Sequence, residues 1–129
     1  MILFVQALEP RRLLSGAPSN PAVVAAVAKV EADVVQMRTD ATSFHNAIAA
    51  TNAAFLTAKA ADLTAIHADM TSGNQQQLAL DRQKFKNDVT AHTAGLKADV
   101  ASWKTTHQTD LTTLHTDMLA LQQARKAAH

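Results

Sequence analysis

Beyond Pro21, apolar side chains recur at steps of three and four residues. In the first stretch they are Val27, Val30, Val34, Met37, Ala41, Phe44, Ile48, Phe55, Leu63, Ile66 and Met70. In the second they are Phe85, Val89, Leu96, Val100, Trp103, Leu111, Leu114, Met118 and Leu121. Such steps put one stripe of apolar residues along a helix. The pattern predicts two amphipathic helices, at 22–72 and 75–126, each on the order of 75 Å long at 1.5 Å per residue. Between them lies "TSGN" at 71–74. Its Ser72, Gly73 and Asn74 suit a helix end, and Asn74 can cap the second helix. A connection this short makes the helices antiparallel neighbours. The expected fold is therefore an all-α antiparallel helical hairpin, with dimerisation to a four-helix bundle open to it. Facing residue numbers should sum to roughly 146 if the chain folds back at Gly73. The seam is expected to hold Met37, Phe44, Ile48, Phe55, Ile66 and Met70 on one helix. On the other it should hold Phe85, Val89, Leu96, Val100, Trp103, Leu111, Leu114 and Met118.

The two stretches resemble each other. "DLTAIHADM" at 62–70 returns as "DLTTLHTDM" at 110–118, an offset of 48 residues. At the same offset Asp33, Met37, Asp40, Ile48 and Phe55 match Asp81, Phe85, Asp88, Leu96 and Trp103. Residues 22–129 thus read as one hairpin made of two copies of a unit. A single helix cannot bury its own stripe, so the pair is the smallest stable arrangement.

The aspartates mark the period. They stand at 33, 40, 62 and 69 in the first copy, and at 81, 88, 99, 110 and 117 in the second. The second set is spaced 7, 11, 11 and 7, and the first has the same spacing if Thr51 fills its gap. Mixing seven- and eleven-residue steps averages out the supercoil drift of each. The expected role of these carboxylates is a solvated stripe beside the seam, meeting lysines of the partner helix. Calcium binding along one helix fails on distance. Carboxylates 7 or 11 residues apart lie some 10–16 Å from each other, too far to share an ion held at about 2.5 Å.

Composition restricts the picture further. Alanine supplies much of the 47% apolar content, and aromatics are only 4%. That suits long helices around a thin core. No cysteine occurs, so disulfide and thiolate chemistry are excluded. A net charge of +1 predicts no nucleic-acid binding. The charge is divided, however. Residues 22–72 carry three basic and five acidic side chains, and residues 75–129 carry seven and five. Halves of opposite sign suit pairing with each other. No run reaches the roughly 18 apolar residues of a membrane span.

Enzymatic signals are missing. The repeated His67 and His115 fall far apart in a hairpin folded at Gly73, and no helix carries the histidine spacing of a zinc motif. His107 is expected near Asp40 and His92 near Phe55. No serine has a base-and-acid arrangement beside it, and no glycine-rich phosphate loop occurs. The sequence therefore predicts no catalytic residues, no metal ligands and no cofactor.

The N-terminal residues carry a different signal. Residues 7–16 read "ALEPRRLLSG". Leu8, Glu9, Pro10, Arg11, Leu13 and Leu14, with Arg12 in the variable place, resemble the LEPR-x-LL motif near the amino terminus of many planctomycete-type bacterial proteins. The resemblance covers about a tenth of the chain. It implies a sorting or processing signal and an exported or envelope location for the rest of the chain. On this reading 1–21 is a leader with a linker, "SGAPSNP", and Asn20 caps a helix whose first turn holds Pro21.

Together these features predict a structural or interaction protein that associates with itself or with a helical partner through its seam. The rival is an amphipathic helical protein that lies on lipid surfaces or protects on drying. It is less favoured because lysines do not flank the apolar stripe symmetrically.

Overall fold

The computed structural model describes residues 20–129. Two helices account for nearly all of them, α1 (Pro21–Ser72) and α2 (Gln75–Ala127), and they pack antiparallel as a helical hairpin. By internal contacts the chain falls into two compact units. One joins 20–40 to Thr106–His129, and the other is Ala41–Thr105.

The unit Ala41–Thr105 contains the bend. Gly73 adopts φ +75°, a left-handed conformation that costs a glycine little and other residues more. The Asn74 N–H then donates to the Asp69 carbonyl at 3.1 Å, the six-to-one bond of a Schellman ending. Asn74 also starts α2, because its Oδ1 accepts the Gln77 N–H at 3.2 Å. Leu78, one turn on, is the best buried apolar side chain beside this bend. Further along, Phe44 stacks on Trp103 at 5.2 Å, with the rings 15° from parallel. Phe55 stacks on His92 at 4.2 Å, and the His92 Nε2–H donates to Asn52 Oδ1 at 2.8 Å. These contacts tie α1 to α2 where aliphatic side chains are few.

The unit of 20–40 with Thr106–His129 begins on the expected cap. Asn20 Oδ1 accepts the N–H groups of Ala22 at 2.9 Å and Val23 at 3.4 Å. Val34 and Leu114 are its buried apolar residues. Arg125 and Lys126 lie in the last turn of α2, where positive charge complements the helix dipole.

Threonines are tolerated in both helices by a common device. Thr39, Thr57, Thr64, Thr90 and Thr112 each donate their hydroxyl to the carbonyl four residues back, which satisfies the side chain locally.

Gly95 has a role that its sequence position alone does not show. A Cβ there would lie 3.1 Å from the Thr51 Cγ2 on the opposite helix, so glycine permits the close approach. The Thr51 hydroxyl donates to Asp99 Oδ2 at 2.6 Å, which fixes the rotamer and denies the methyl an escape. Gly95→Ala should therefore fail to deliver the roughly 1 kcal/mol that alanine normally adds to a helix. Adding Thr51→Ser removes the obstructing methyl and keeps the hydroxyl, so the double variant should recover most of that gain. Chemical denaturation of the four proteins measures both expectations. An additive pair of effects would show that the two positions do not touch.

Candidate functional site

The aspartates do not form a wet margin. They occupy the centre of the interhelical seam and face one another. In the unit containing the chain ends, Asp33 meets Asp117 and Asp40 meets Asp110. In the bend unit, Asp62 meets Asp88, Asp69 meets Asp81, and Thr51 meets Asp99. The two residue numbers at every level add to 150. Asp62 is the most enclosed of them, only 3% exposed. All the others are half-buried.

This overturns the expected solvated stripe, and the reason is the spacing itself. A run of 7, 11, 11 and 7 reads the same in both directions. Two antiparallel helices that both carry it bring all five levels into register at once. Seven and eleven residues are close to two and three full helical turns, so within each unit the levels point the same way. The palindrome is the signal available in the sequence, and assigning carboxylates to water by their type overlooks it.

The same correction applies to part of the expected seam. Met37, Phe44, Ile48, Phe55, Ile66, Phe85, Leu96, Trp103 and Leu111 are half-buried, and Leu114 is buried. Met70, Val89, Val100 and Met118 are exposed instead, Met70 to 58%. Each follows a seam aspartate directly, and one residue rotates about 100° around a helix. In the bend unit the aspartate takes the centre and its successor is turned to the side, whereas in the other unit Val34, which follows Asp33, is buried and Leu111, which follows Asp110, is half-buried. Leu63, which follows Asp62 in the bend unit, is 47% exposed.

Facing carboxylates need a positive charge or a proton between them. Three solutions occur. At the Thr51 level a hydroxyl supplies the hydrogen that Asp99 accepts. At the Asp62 level Lys84 donates to Asp62 Oδ1 and to Asp88 Oδ2, both at 2.7 Å. These bonds hold the Lys84 ammonium well above its ordinary range, and they hold the Asp88 carboxyl below its own, with Asp62 as a second cause. The other three levels offer neither of these, and a raised carboxyl takes their place. Burial raises Asp33 and Asp110, helped by contact with Asp117 and Asp40 respectively. Contact with Asp81 raises Asp69, while the same contact and the Gln77 amide lower Asp81.

The histidines stand apart from this ladder. His67 and His115 are exposed, and His92 is engaged with Phe55 and Asn52. Among the described residues no three histidine or acidic side chains converge as a metal-binding group. The LEPR-x-LL residues Leu8, Glu9, Pro10, Arg11, Leu13 and Leu14 lie outside the described residues.

No protein-family model, no curated protein and no solved structure matches this chain.

Removing the Lys84 ammonium leaves Asp62 enclosed beside a second carboxylate with no counter-charge, a strongly unfavourable arrangement. Lys84→Met should therefore lower the Tm at neutral pH. Asp62→Asn in the same chain should restore most of the loss, because an amide can donate to Asp88. A thermal melt of the two variants checks this. Equal Tm values for Lys84→Met and the parent would mean that the bridging ammonium is not needed.

Proposed function

We propose that this chain is a non-enzymatic structural or interaction protein that works by associating with further helices, in the first place those of a second copy. The observation that carries this reading is the exposed apolar row of the bend unit. Leu63, Met70, Val89 and Val100 each follow a seam aspartate, on α1 or on α2. In two antiparallel right-handed helices the residue after the seam centre turns to the same side of the pair. These four exposed side chains therefore share one face. The residues before the aspartates, Ala61, Ala68, Leu80, Asn87 and Ala98, fall on the other, and of these Leu80 alone is large and apolar, 59% exposed. The bend unit is thus two-sided, with four large apolar groups on one face and mostly small residues on its reverse. An exposed apolar row of this kind suits helix-on-helix packing.

Export or attachment to the cell envelope is the location we propose, on the strength of the LEPR-x-LL resemblance alone. Among the described residues no helix is long and apolar enough to cross a membrane. A lipid-surface or drying-induced role would use the same apolar row differently, with helix content depending on the lipid or on water loss.

Two measurements decide between these readings. The chain should be strongly helical in plain buffer, should melt cooperatively, and should scatter light as a dimer at high micromolar concentration. Leu63→Glu with Val89→Glu should return it to monomer with the helix content kept. A monomeric mass in the parent protein counts against self-association. Helicity that develops only with liposomes or on drying counts for the surface-active alternative.

A further inference from the structure

Three of the five facing levels are pairs of acceptors with no donor between them. Oδ2 of Asp33, of Asp69 and of Asp110 is shut off from solvent and receives no N–H or O–H. Each belongs to a different pair, and each faces a carboxyl on the opposite helix. Asp62 Oδ2 is in the same condition, but its level already holds the Lys84 ammonium. The Thr51 level shows what such a position requires. There one side chain brings its own hydrogen, and the contact closes to 2.6 Å.

We propose that the hairpin is an acid-tightened clasp, in which Asp33 with Asp117, Asp40 with Asp110, and Asp69 with Asp81 each take up one proton from solvent and share it across the seam. The proton joins one carboxylate oxygen as O–H and is donated to the carboxylate opposite. Two repelling acceptors thereby become a short charge-assisted hydrogen bond between α1 and α2. When the proton leaves, both groups are anionic and face each other in a half-buried seam.

The surroundings favour this chemistry at each level. Lys29 is the basic group near Asp33, and its pull toward the charged form is the weakest influence there, behind burial, Asp117 and Asp110. His107 acts on Asp110 in the same sense, and again burial and Asp40 outweigh it. Gln36 donates to Asp40 at 2.9 Å and so places a donor beside that carboxylate. Gln77 and Lys84 favour Asp81 as the charged member of its pair and leave Asp69 as the proton carrier.

These shifts set the direction of the pH dependence. Asp33, Asp69 and Asp110 hold a proton more tightly in the hairpin than in the unfolded chain. Their contribution is complete below the ordinary carboxylate value and is lost as pH rises through the raised one. Asp81 and Asp88 are lowered and act oppositely, losing their contribution as pH falls through their depressed values. Stability should therefore peak where each pair carries one proton, at or just above the ordinary aspartate value. It should decline toward neutral pH and again in strong acid.

Thermal melts of the full chain test this. The Tm should be higher at about pH 4.5 than at about pH 7.5, by on the order of 10 °C. The triple variant Asp33→Asn, Asp69→Asn, Asp110→Asn carries permanent donors. Its Tm at neutral pH should approach the acid value of the parent, and its pH slope should be less than half as steep. Should the triple variant not fold, Asp69→Asn alone must show about a third of the flattening. Equal slopes in parent and variant, or a parent that loses Tm on moderate acidification, would overturn the proposal. So would a rise in Tm with millimolar calcium at neutral pH that acid cannot reproduce, since the pairs would then be cation sites.

Discussion

Two helices that carry acids at mirror-symmetric intervals set acid against acid at every such level when they close antiparallel in the mirror register. That constraint governs this hairpin. The 7, 11, 11, 7 spacing places Asp, Asp, Thr or Asp, Asp, Asp along each helix and pairs each level with its mirror image. Sliding one helix by a single turn would set no aspartate opposite another, and it would part Thr51 from Asp99 and break the link that Lys84 makes between Asp62 and Asp88. The ladder thus fixes register at some expense in stability, as a polar group does at the core of a coiled coil. A thin aliphatic core of Val34, Leu78 and Leu114 would specify register poorly by itself.

The remaining features fit around these levels. Gly95 brings the helices close where the short Thr51 stands in for an aspartate. Lys84 serves the most enclosed level and leaves the three others to protons. The stacked pairs Phe44 with Trp103 and Phe55 with His92 provide apolar contact between the polar levels of the bend unit. With aspartates at the centre, the neighbouring Leu63, Met70, Val89 and Val100 are turned outward, and this supplies the surface on which the proposed association rests.

Local chemistry was legible in the sequence. Gly73 and Asn74 declared the bend and Asn20 declared its cap, because each depends on a few neighbouring residues, and the bend once placed set His92 against Phe55. The seam was harder. Asp62 and Leu63 belong to two adjacent stripes with the same period, and periodicity cannot say which stripe faces the partner. Hydrophobicity chose leucine, valine and methionine, and the fold chose aspartate. What could have corrected the choice was the mirror symmetry of the spacing, a property of both helices together. The part played by Gly95 was out of reach until Thr51 was known to lie across from it.

Whether these carboxylates sit at the middle of the seam in facing pairs can be read from carbon NMR of the aspartate carboxyl groups through an acid titration. Facing pairs give split titrations, with Asp33, Asp69 and Asp110 above the ordinary aspartate range and Asp81 and Asp88 below it. If all of them titrate together within the ordinary range, they are solvated side chains and the seam is built from something else.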